Sequence, residues 1–217
     1  MAPKVKAQRE SDGQSGQART RLARRAVIDA ARTLFLDRGY GATTIADISE
    51  VADVPSATVY RLFSSKRGIL KALLDVSIVG DDDGTPLAER PHVQASLSDP
   101  DPRQRLAGFV AVTVDVNSRT APVYRILTSA AASDPSAAEL LGELAQQRQQ
   151  GQGRLARSLA RGNALHAHLR ERDAADIIHA LMSPELYQLL VVDRGWRPDR
   201  YEQWLRETLS LQLLARA

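Results

Sequence analysis

The segment Thr44–Phe63 constrains the fold of this 217-residue chain more than any other, because it predicts two short helices joined by a tight turn. Thr44 and Asp47 have the spacing of a capping box at the start of the first helix. Pro55 disfavours helical backbone at the preceding residue, so the first helix must end before it. Asp53 tolerates the left-handed conformation that a sharp turn needs at this point. The second helix is predicted over residues 56–63.

The two faces of the second helix differ in polarity. Val59, Leu62 and Phe63 share an apolar face at helical spacing. The opposite face carries small and hydrogen-bonding side chains, namely Ala57, Arg61 and Ser64, flanked by Thr58 and Tyr60. Small residues allow close approach to DNA, and Arg can bind a guanine edge, so the segment predicts a helix-turn-helix. The alternative is a helical hairpin inside a bundle.

These positions resemble the N-terminal DNA-binding signature of the TetR (tetracycline-repressor) family. The resemblance is carried by Thr43-Thr44, Ile48, Ala52, Val54, Thr58-Val59-Tyr60, Phe63 and Lys66. It begins near Arg21 and extends, more loosely, to the C-terminus. Two positions depart from the pattern: Asp53 stands where the family usually has Gly, and Pro55 where it usually has a capping Ser. We therefore expect Ser56 or a Pro-led first turn to take over the capping of the second helix.

The resemblance implies an all-α fold with a three-helix DNA-binding domain, a fourth linking helix and a larger ligand-binding and dimerisation domain. It implies a one-component transcriptional regulator of the repressor type. The regulator would bind a palindromic operator in double-stranded DNA as a homodimer. A small-molecule effector of unknown identity would release the DNA. Base edges would be contacted by Ser56, Ala57 and Arg61, and phosphates by Thr44, Thr58, Tyr60 and Lys66.

Charge is distributed unevenly along the chain. Residues 1–80 contain 13 Lys and Arg against 8 Asp and Glu, a net charge of +5, whereas residues 81–217 have a net charge of −2. The basic part coincides with the predicted helix-turn-helix, as expected for a polyanionic partner. The chain has no Cys, which excludes disulfides and thiolate metal sites. No signal peptide or membrane span is predicted, and we expect a cytoplasmic protein.

The predicted organisation has four parts. Residues 1–19 are polar and predict a disordered basic arm. Residues 20–65 form the DNA-binding domain, whose first helix, Thr20–Arg38, ends at Gly39. Residues 66–80 form the linking helix, followed by an acidic hinge over residues 80–84. Residues 81–217 form the second domain, with helices predicted near 86–97, 103–119, 121–132, 135–161, 172–194 and 197–214, and a bend at Ser183 before Pro184.

The last two predicted helices carry more apolar surface than one stripe buries, which favours a dimer interface. The alternative is that both helices simply complete the core of the second domain. The candidate interface residues are Ile178, Leu186, Leu189, Leu190, Trp204, Leu205 and Leu209. A ligand would lie in a mostly apolar cavity of the second domain. Its candidate contacts, each of which could instead be ordinary core, are Phe109, Thr113, Val116, Tyr124, Leu127, Arg148, His179 and Met182.

No enzyme signature is present. The chain lacks a phosphate-binding Gly-rich loop and a nucleophile elbow, and His166 and His168 are badly spaced for a metal on a helix. We therefore expect no catalytic residue, metal site or cofactor. The competing hypothesis is an all-α interaction protein or helical enzyme in which the helix-turn-helix is only a scaffold.

Overall fold

The computed structural model describes the backbone of residues 3–80 and 85–215, and side chains from residue 16 onward within those ranges. This part of the chain is helical and contains no strand, which confirms the predicted all-α fold. The α-helices are α1 Pro3–Ala42, α2 Ile45–Ala52, α3 Ser56–Phe63, α4 Lys66–Val79, α5 Pro91–Leu97, α6 Pro102–Ala131, α7 Pro135–Arg161, α8 Glu171–Leu181, α9 Pro184–Tyr187 and α10 Pro198–Leu213. A 3₁₀-helix covers Leu87–Glu89 and a π-helix Gln188–Asp193.

The first helix is longer than predicted at its N-terminal end. Its backbone is helical from Pro3, whereas residues 1–19 were expected to be a disordered arm. The segment contains Ala, Gln, Lys and Arg, which are good helix formers, and extending an existing helix avoids a new nucleation step. At the other end, helical dihedrals stop at Gly39, with φ 81° and ψ 162°, as predicted. The structure leaves the arm's function a prediction.

Pro122 does not end a helix, which corrects the predicted break between 103–119 and 121–132. Helix α6 continues through it from Pro102 to Ala131. The proline ring removes one N–H donor, but Pro122 lies on the exposed side of α6, where water can satisfy the freed carbonyl. The helix thereby gains the length to pack along both parts of the molecule.

The predicted bend before Pro184 is confirmed. Helix α8 stops at Leu181, and Ser183 begins α9 by accepting a hydrogen bond from the backbone N–H of Leu186 at 3.1 Å. Pro184 occupies the first helical position, where its missing N–H has no intrahelical partner. The predicted helix over 172–194 is therefore three successive segments, of which the last is the π-helix. Residues 81–84 of the predicted acidic hinge lie outside the described residues.

Two hydrophobic cores organise the described chain. The first joins α1–α4 to the C-terminal half of α6, including Val123 and Leu127, and to Leu140 of α7. The second fills the space between α6, α7, α8 and α10. The helix-turn-helix thus packs against helices from residues 81–217. The predicted domain boundaries after residues 65 and 80 stay a prediction. No helix in the described part of the chain is long and apolar enough to cross a membrane.

Because α4 lies close to the end of α3 at Gly68, adding a methyl group at this glycine should destabilise the protein. A Cβ added at Gly68 would clash with the carbonyl oxygen of Phe63. We expect Gly68→Ala to lower the free energy of unfolding by about 1–3 kcal/mol, because the clash is with backbone. Urea denaturation at fixed protein concentration measures the change.

The matched control is Gly142→Ala, since a Cβ there meets nothing within 4 Å on α7. The control should raise the free energy of unfolding by about 0.5–1 kcal/mol, the usual gain for Gly to Ala in a helix. Equal effects of the two substitutions would contradict the close approach of α3 and α4.

Candidate functional site

The start of α2 is fixed by the predicted capping box. The backbone N–H of Thr44 donates to Asp47 Oδ2 at 2.8 Å, and the backbone N–H of Asp47 donates to Thr44 Oγ1 at 3.1 Å. The Thr44 hydroxyl also donates to Asp47 Oδ2 at 2.7 Å. The hydrogen bonds from Thr44 lower the pKa of Asp47 below its ordinary value. Thr44 is exposed, but its hydroxyl is already used within the helix terminus.

The turn between α2 and α3 has the left-handed residue that the sequence predicts. Asp53 adopts φ 50° and ψ 43°. Ser49 closes the turn, since its carbonyl accepts from the Val54 N–H at 3.1 Å and its hydroxyl donates to the Val54 carbonyl at 2.7 Å. The Ser56 hydroxyl donates to Ser49 Oγ at 2.9 Å and does not cap α3. Pro55 takes the N-cap position without a side-chain hydrogen bond, so of the two expected alternatives the structure has the Pro-led first turn and not capping by Ser56.

Helix α3 buries one face and leaves the other open. Val59 is completely buried and Phe63 nearly so. Tyr60 is 54% exposed, and Arg61, Ser56 and Ala57 are also exposed. Thr58 is half-buried at the edge of this surface. Four of the seven predicted DNA-contacting residues therefore lie together on one solvent-facing surface, which we call the α3 outer face: Ser56, Ala57, Tyr60 and Arg61.

Lys66 differs from the prediction. Its ammonium donates to the carbonyl oxygens of Tyr40 at 2.8 Å and Thr43 at 2.9 Å, and lies 4.3 Å from the centre of the Tyr40 ring. These contacts occupy the ammonium inside the protein, so it is not presented as a free phosphate contact. Lys66 instead ties the start of α4 to the segment between α1 and α2.

Sequence reasoning gave Arg24 no partner within the protein. Its guanidinium carbon lies 5.0 Å from the centre of the Phe63 ring, which places an exposed positive charge next to the C-terminal end of α3. Arg21, Arg24 and Arg25 at the predicted start of the first helix were the sequence signal for positive charge here. The aromatic contact was not predictable, because it depends on how α1 crosses α3.

The predicted ligand residues divide into two groups. Tyr124, Arg148 and His179 are brought together: the Tyr124 hydroxyl donates to Glu185 Oε1 at 2.7 Å, and Arg148 lies 3.7 Å from Glu185 Oε2 and 3.5 Å from His179 Nε2. His179 Nδ1 lies 2.7 Å from Gln152 Oε1. The remaining predicted residues are Thr113 and Met182, in contact at 3.8 Å, with half-buried Phe109 and Val116 and buried Leu127. Leu127 belongs to the first core, which corrects its assignment to the ligand site.

Two polar nitrogens of this region have no partner in the described part of the chain. Asn117, 5% exposed, is one helical turn from Thr113 on α6, and its Nδ2 is buried without a hydrogen bond. The Nε of Arg148 is also buried and unpaired. We call Thr113, Asn117, Tyr124, Arg148 and His179 the interior polar stripe. Unsatisfied buried donors are costly in a folded protein.

Burial sets the charge state of the interior polar stripe. Burial first, and then the nearby positive charge of Arg148, lower the pKa of His179 below its ordinary value. Burial, reinforced by the hydrogen bond to Glu185, raises the pKa of Tyr124 to about 12. Near neutral pH the stripe therefore presents a neutral imidazole, a phenol and one guanidinium.

Residues 27–73 match a protein family described as "Bacterial regulatory proteins, tetR family". This range contains the helices that build and support the α3 outer face. Over residues 27–73 the chain is similar to the TetR family. The prediction made from residues 43–66 is thereby confirmed.

Curated relatives are similar to this chain over short segments. An uncharacterised HTH-type transcriptional regulator of Bacillus subtilis, YvkB, is 46% identical over 48 residues, which are 22% of this chain and 25% of the relative. The repressor ComR of Escherichia coli is 40% identical over 52 residues, 24% of this chain and 25% of ComR. The alignment thus spans about a quarter of each relative. Their names describe transcriptional regulators, in agreement with the prediction that the chain is not an enzyme.

Solved structures extend the likeness of the fold to the second domain. A proposed transcriptional regulator from Saccharomonospora viridis, in complex with choline, superposes with a TM-score of 0.65 at 22% identity. The superposition covers 89% of this chain and 98% of that one. At this identity the likeness establishes the fold of the chain.

The predicted dimer residues need correction. Ile178, Leu205 and Leu209 are completely buried in the second core, because they fill the space between α8, α10 and α6. Leu186, Leu190 and Trp204 are half-buried against the same core. Leu189 is 51% exposed and, with Val192 at 45%, forms an apolar surface on the π-helix.

The inward position of Lys66 gives a stability prediction. We expect Lys66→Met to lower the free energy of unfolding by about 1–3 kcal/mol, because two carbonyl oxygens lose their donor. Urea denaturation at fixed protein concentration measures it. The control is Lys71→Met, which removes a half-exposed pair with Asp75 at 3.1 Å and should cost less than about 1 kcal/mol. If Lys66→Met is as mild as Lys71→Met, the ammonium does not hold the two carbonyls together.

Proposed function

We propose that the chain is a homodimeric one-component transcriptional repressor whose α3 enters the major groove of a palindromic operator. The observation that carries the proposal is the α3 outer face, in which Arg61 and Tyr60 are exposed while Val59 and Phe63 anchor the helix beneath. A helix packed on one side and open on the other can enter a groove without losing its core contacts.

The chemistry of the α3 outer face fits DNA. Arg61 has no ion pair or hydrogen bond to another described residue, so its guanidinium is available for a guanine edge, where Arg binds bidentately. Ser56 and Ala57 are small and allow the backbone to approach the bases. Tyr60 and Arg24 lie where they could bind phosphates beside the groove.

Dimerisation follows from how an operator is read. Two recognition helices must be held about 34–36 Å apart, or a multiple, to contact two half-sites of a palindrome. The exposed apolar surface at Leu189 supports a symmetric contact in the second domain, since exposed apolar side chains favour association. The buried Ile178, Leu205 and Leu209 would support this surface from behind.

An effector would bind at the interior polar stripe. The unpaired nitrogens of Asn117 and Arg148 favour a ligand that carries hydrogen-bond acceptors. The likeness to a fold solved with choline and to the repressor ComR supports the combination of ligand binding and repression. If the ligand and the operator favour different conformations, each weakens the other, typically by about 1–3 kcal/mol.

Arg61→Ala tests operator recognition. The operator is first selected from random DNA with the parent protein, and fluorescence anisotropy then measures the affinity for the operator and for a scrambled duplex. We expect Arg61→Ala to lose about 1–3 kcal/mol on the operator and much less on the scrambled duplex, because a base contact contributes only to the specific complex.

The matched control is Arg154→Ala, which removes an exposed Arg on α7 and should leave both affinities unchanged. Operator binding by Arg61→Ala at parental affinity would refute the assignment of Arg61. Failure of the parent protein to select any DNA at low salt would favour the competing hypothesis of a helical interaction protein.

Leu189→Glu tests the dimer. Sedimentation velocity should give a dimer for the parent and a monomer for Leu189→Glu, because two carboxylates would be buried against apolar surface at the symmetric contact. Leu22→Glu is the control, since Leu22 is an exposed Leu on α1 and its replacement should leave the dimer intact. A parent that sediments as a monomer would contradict the homodimer.

A further inference from the structure

A cleft of about 640 Å³ lies between the DNA-binding helices and the second domain. One wall is the C-terminal end of α1 with the segment Gly39–Ala42, and the other is the C-terminal half of α6 with residues 188 and 192 of the π-helix. This volume is within the roughly 300–1,000 Å³ of small-molecule sites. The cleft is separate from the interior polar stripe, none of whose residues lines it.

The lining of the cleft is positively charged. It contains Arg38 and Arg125 and no Asp or Glu. Arg125 has no ion pair with another described residue. Arg38 lies 3.5 Å from its exposed neighbour Asp37, and its charge also acts on the half-buried Asp47. Two guanidinium groups without a buried counter-charge favour an anion, and the planar guanidinium fits a carboxylate best.

The remaining lining favours an apolar body on the same ligand. Leu36 of α1 is 49% exposed and Val192 is 45% exposed, although both are large apolar residues. Ile126 of α6, which is buried, also lines the cleft. An apolar chain in the cleft would cover Leu36 and Val192 and remove their side chains from water.

We propose that this cleft binds an amphipathic carboxylate, with its carboxylate at Arg125 and Arg38 and its apolar chain along Leu36 and Val192. This site is additional to the effector site of the proposed function and does not depend on it. Binding is a property of the chain alone and requires no DNA.

The position of the cleft couples its occupant to the helix-turn-helix. The Gly39–Ala42 wall leads directly into Thr43 and the Thr44 cap of α2, and the Tyr40 and Thr43 carbonyls are the ones that Lys66 holds. A ligand that contacts this wall and α6 together fixes the segment before α2 relative to the second domain. Occupancy should therefore change the affinity for DNA.

The test uses the full chain and decanoate below its micelle-forming concentration, with binding measured by isothermal titration calorimetry. 1-Decanol and decylamine are the neutral and cationic probes of equal chain length. We expect saturable binding of decanoate, at least tenfold weaker binding of the other two probes, and at least a tenfold loss of decanoate affinity in Arg125→Ala, because a charge-assisted pair is removed.

Two further variants separate the cleft from other sites. Arg154→Ala removes an exposed Arg outside the lining and should bind decanoate as the parent does. Arg148→Met alters the interior polar stripe and should also retain parental affinity. Val192→Glu places a carboxylate in the cleft and should abolish binding, with circular dichroism and the urea midpoint verifying that each variant is folded.

Three results would overturn the proposal. The first is no saturable binding of decanoate to the parent, and the second is equal affinity for decanoate and 1-decanol. The third is a loss in Arg148→Met but not in Arg125→Ala, which would assign decanoate to the interior polar stripe. If Arg125→Ala converts a dimeric parent to a monomer, a second copy of the chain occupies the cleft and the proposal fails.

Discussion

The placement of the DNA-binding surface depends on one ammonium group. Lys66 is the first residue of α4, and its ammonium donates to the carbonyls of Tyr40 and Thr43. The end of α1, the start of α2 and the start of α4 therefore meet at one point. Thr43 adds a second connection by donating from its hydroxyl to the Gly39 carbonyl at 2.8 Å. A cation that satisfies several backbone acceptors can fix a junction that a small apolar core alone would leave loose.

Helix α6 transmits this geometry to the rest of the molecule. It contributes to both hydrophobic cores, and Arg119 donates to the carbonyls of Ser77 at 3.0 Å and Ile78 at 2.8 Å, near the end of α4. Those carbonyls belong to the last turn of a helix, where partners within the helix are missing. The same helix thus packs against the DNA-binding helices and satisfies the last carbonyls of α4. A shift of α6 would therefore move both contacts.

The local signals of the sequence predicted local structure well. The capping box at Thr44, the left-handed Asp53 and the open side of α3 around Arg61 depend on neighbours within a few residues, which the sequence contains. The inward turn of Lys66 could not be predicted, because its carbonyl partners are more than twenty residues away. Leu205 was assigned to a dimer contact for a similar reason: helical periodicity identifies an apolar face but not the element that covers it.

The π-helix over Gln188–Asp193 has a consequence for variation in chain length. Its wide turns hold one more residue than α-helical turns would, as the hydrogen bond from Arg194 N–H to the Leu189 carbonyl at 3.1 Å illustrates. Loss of one residue here would restore ordinary α-helical pairing while Tyr187 and Trp196 kept their places. Deletions should therefore be accommodated in this segment far better than in α8 or α10, where every downstream side chain would rotate by about 100°.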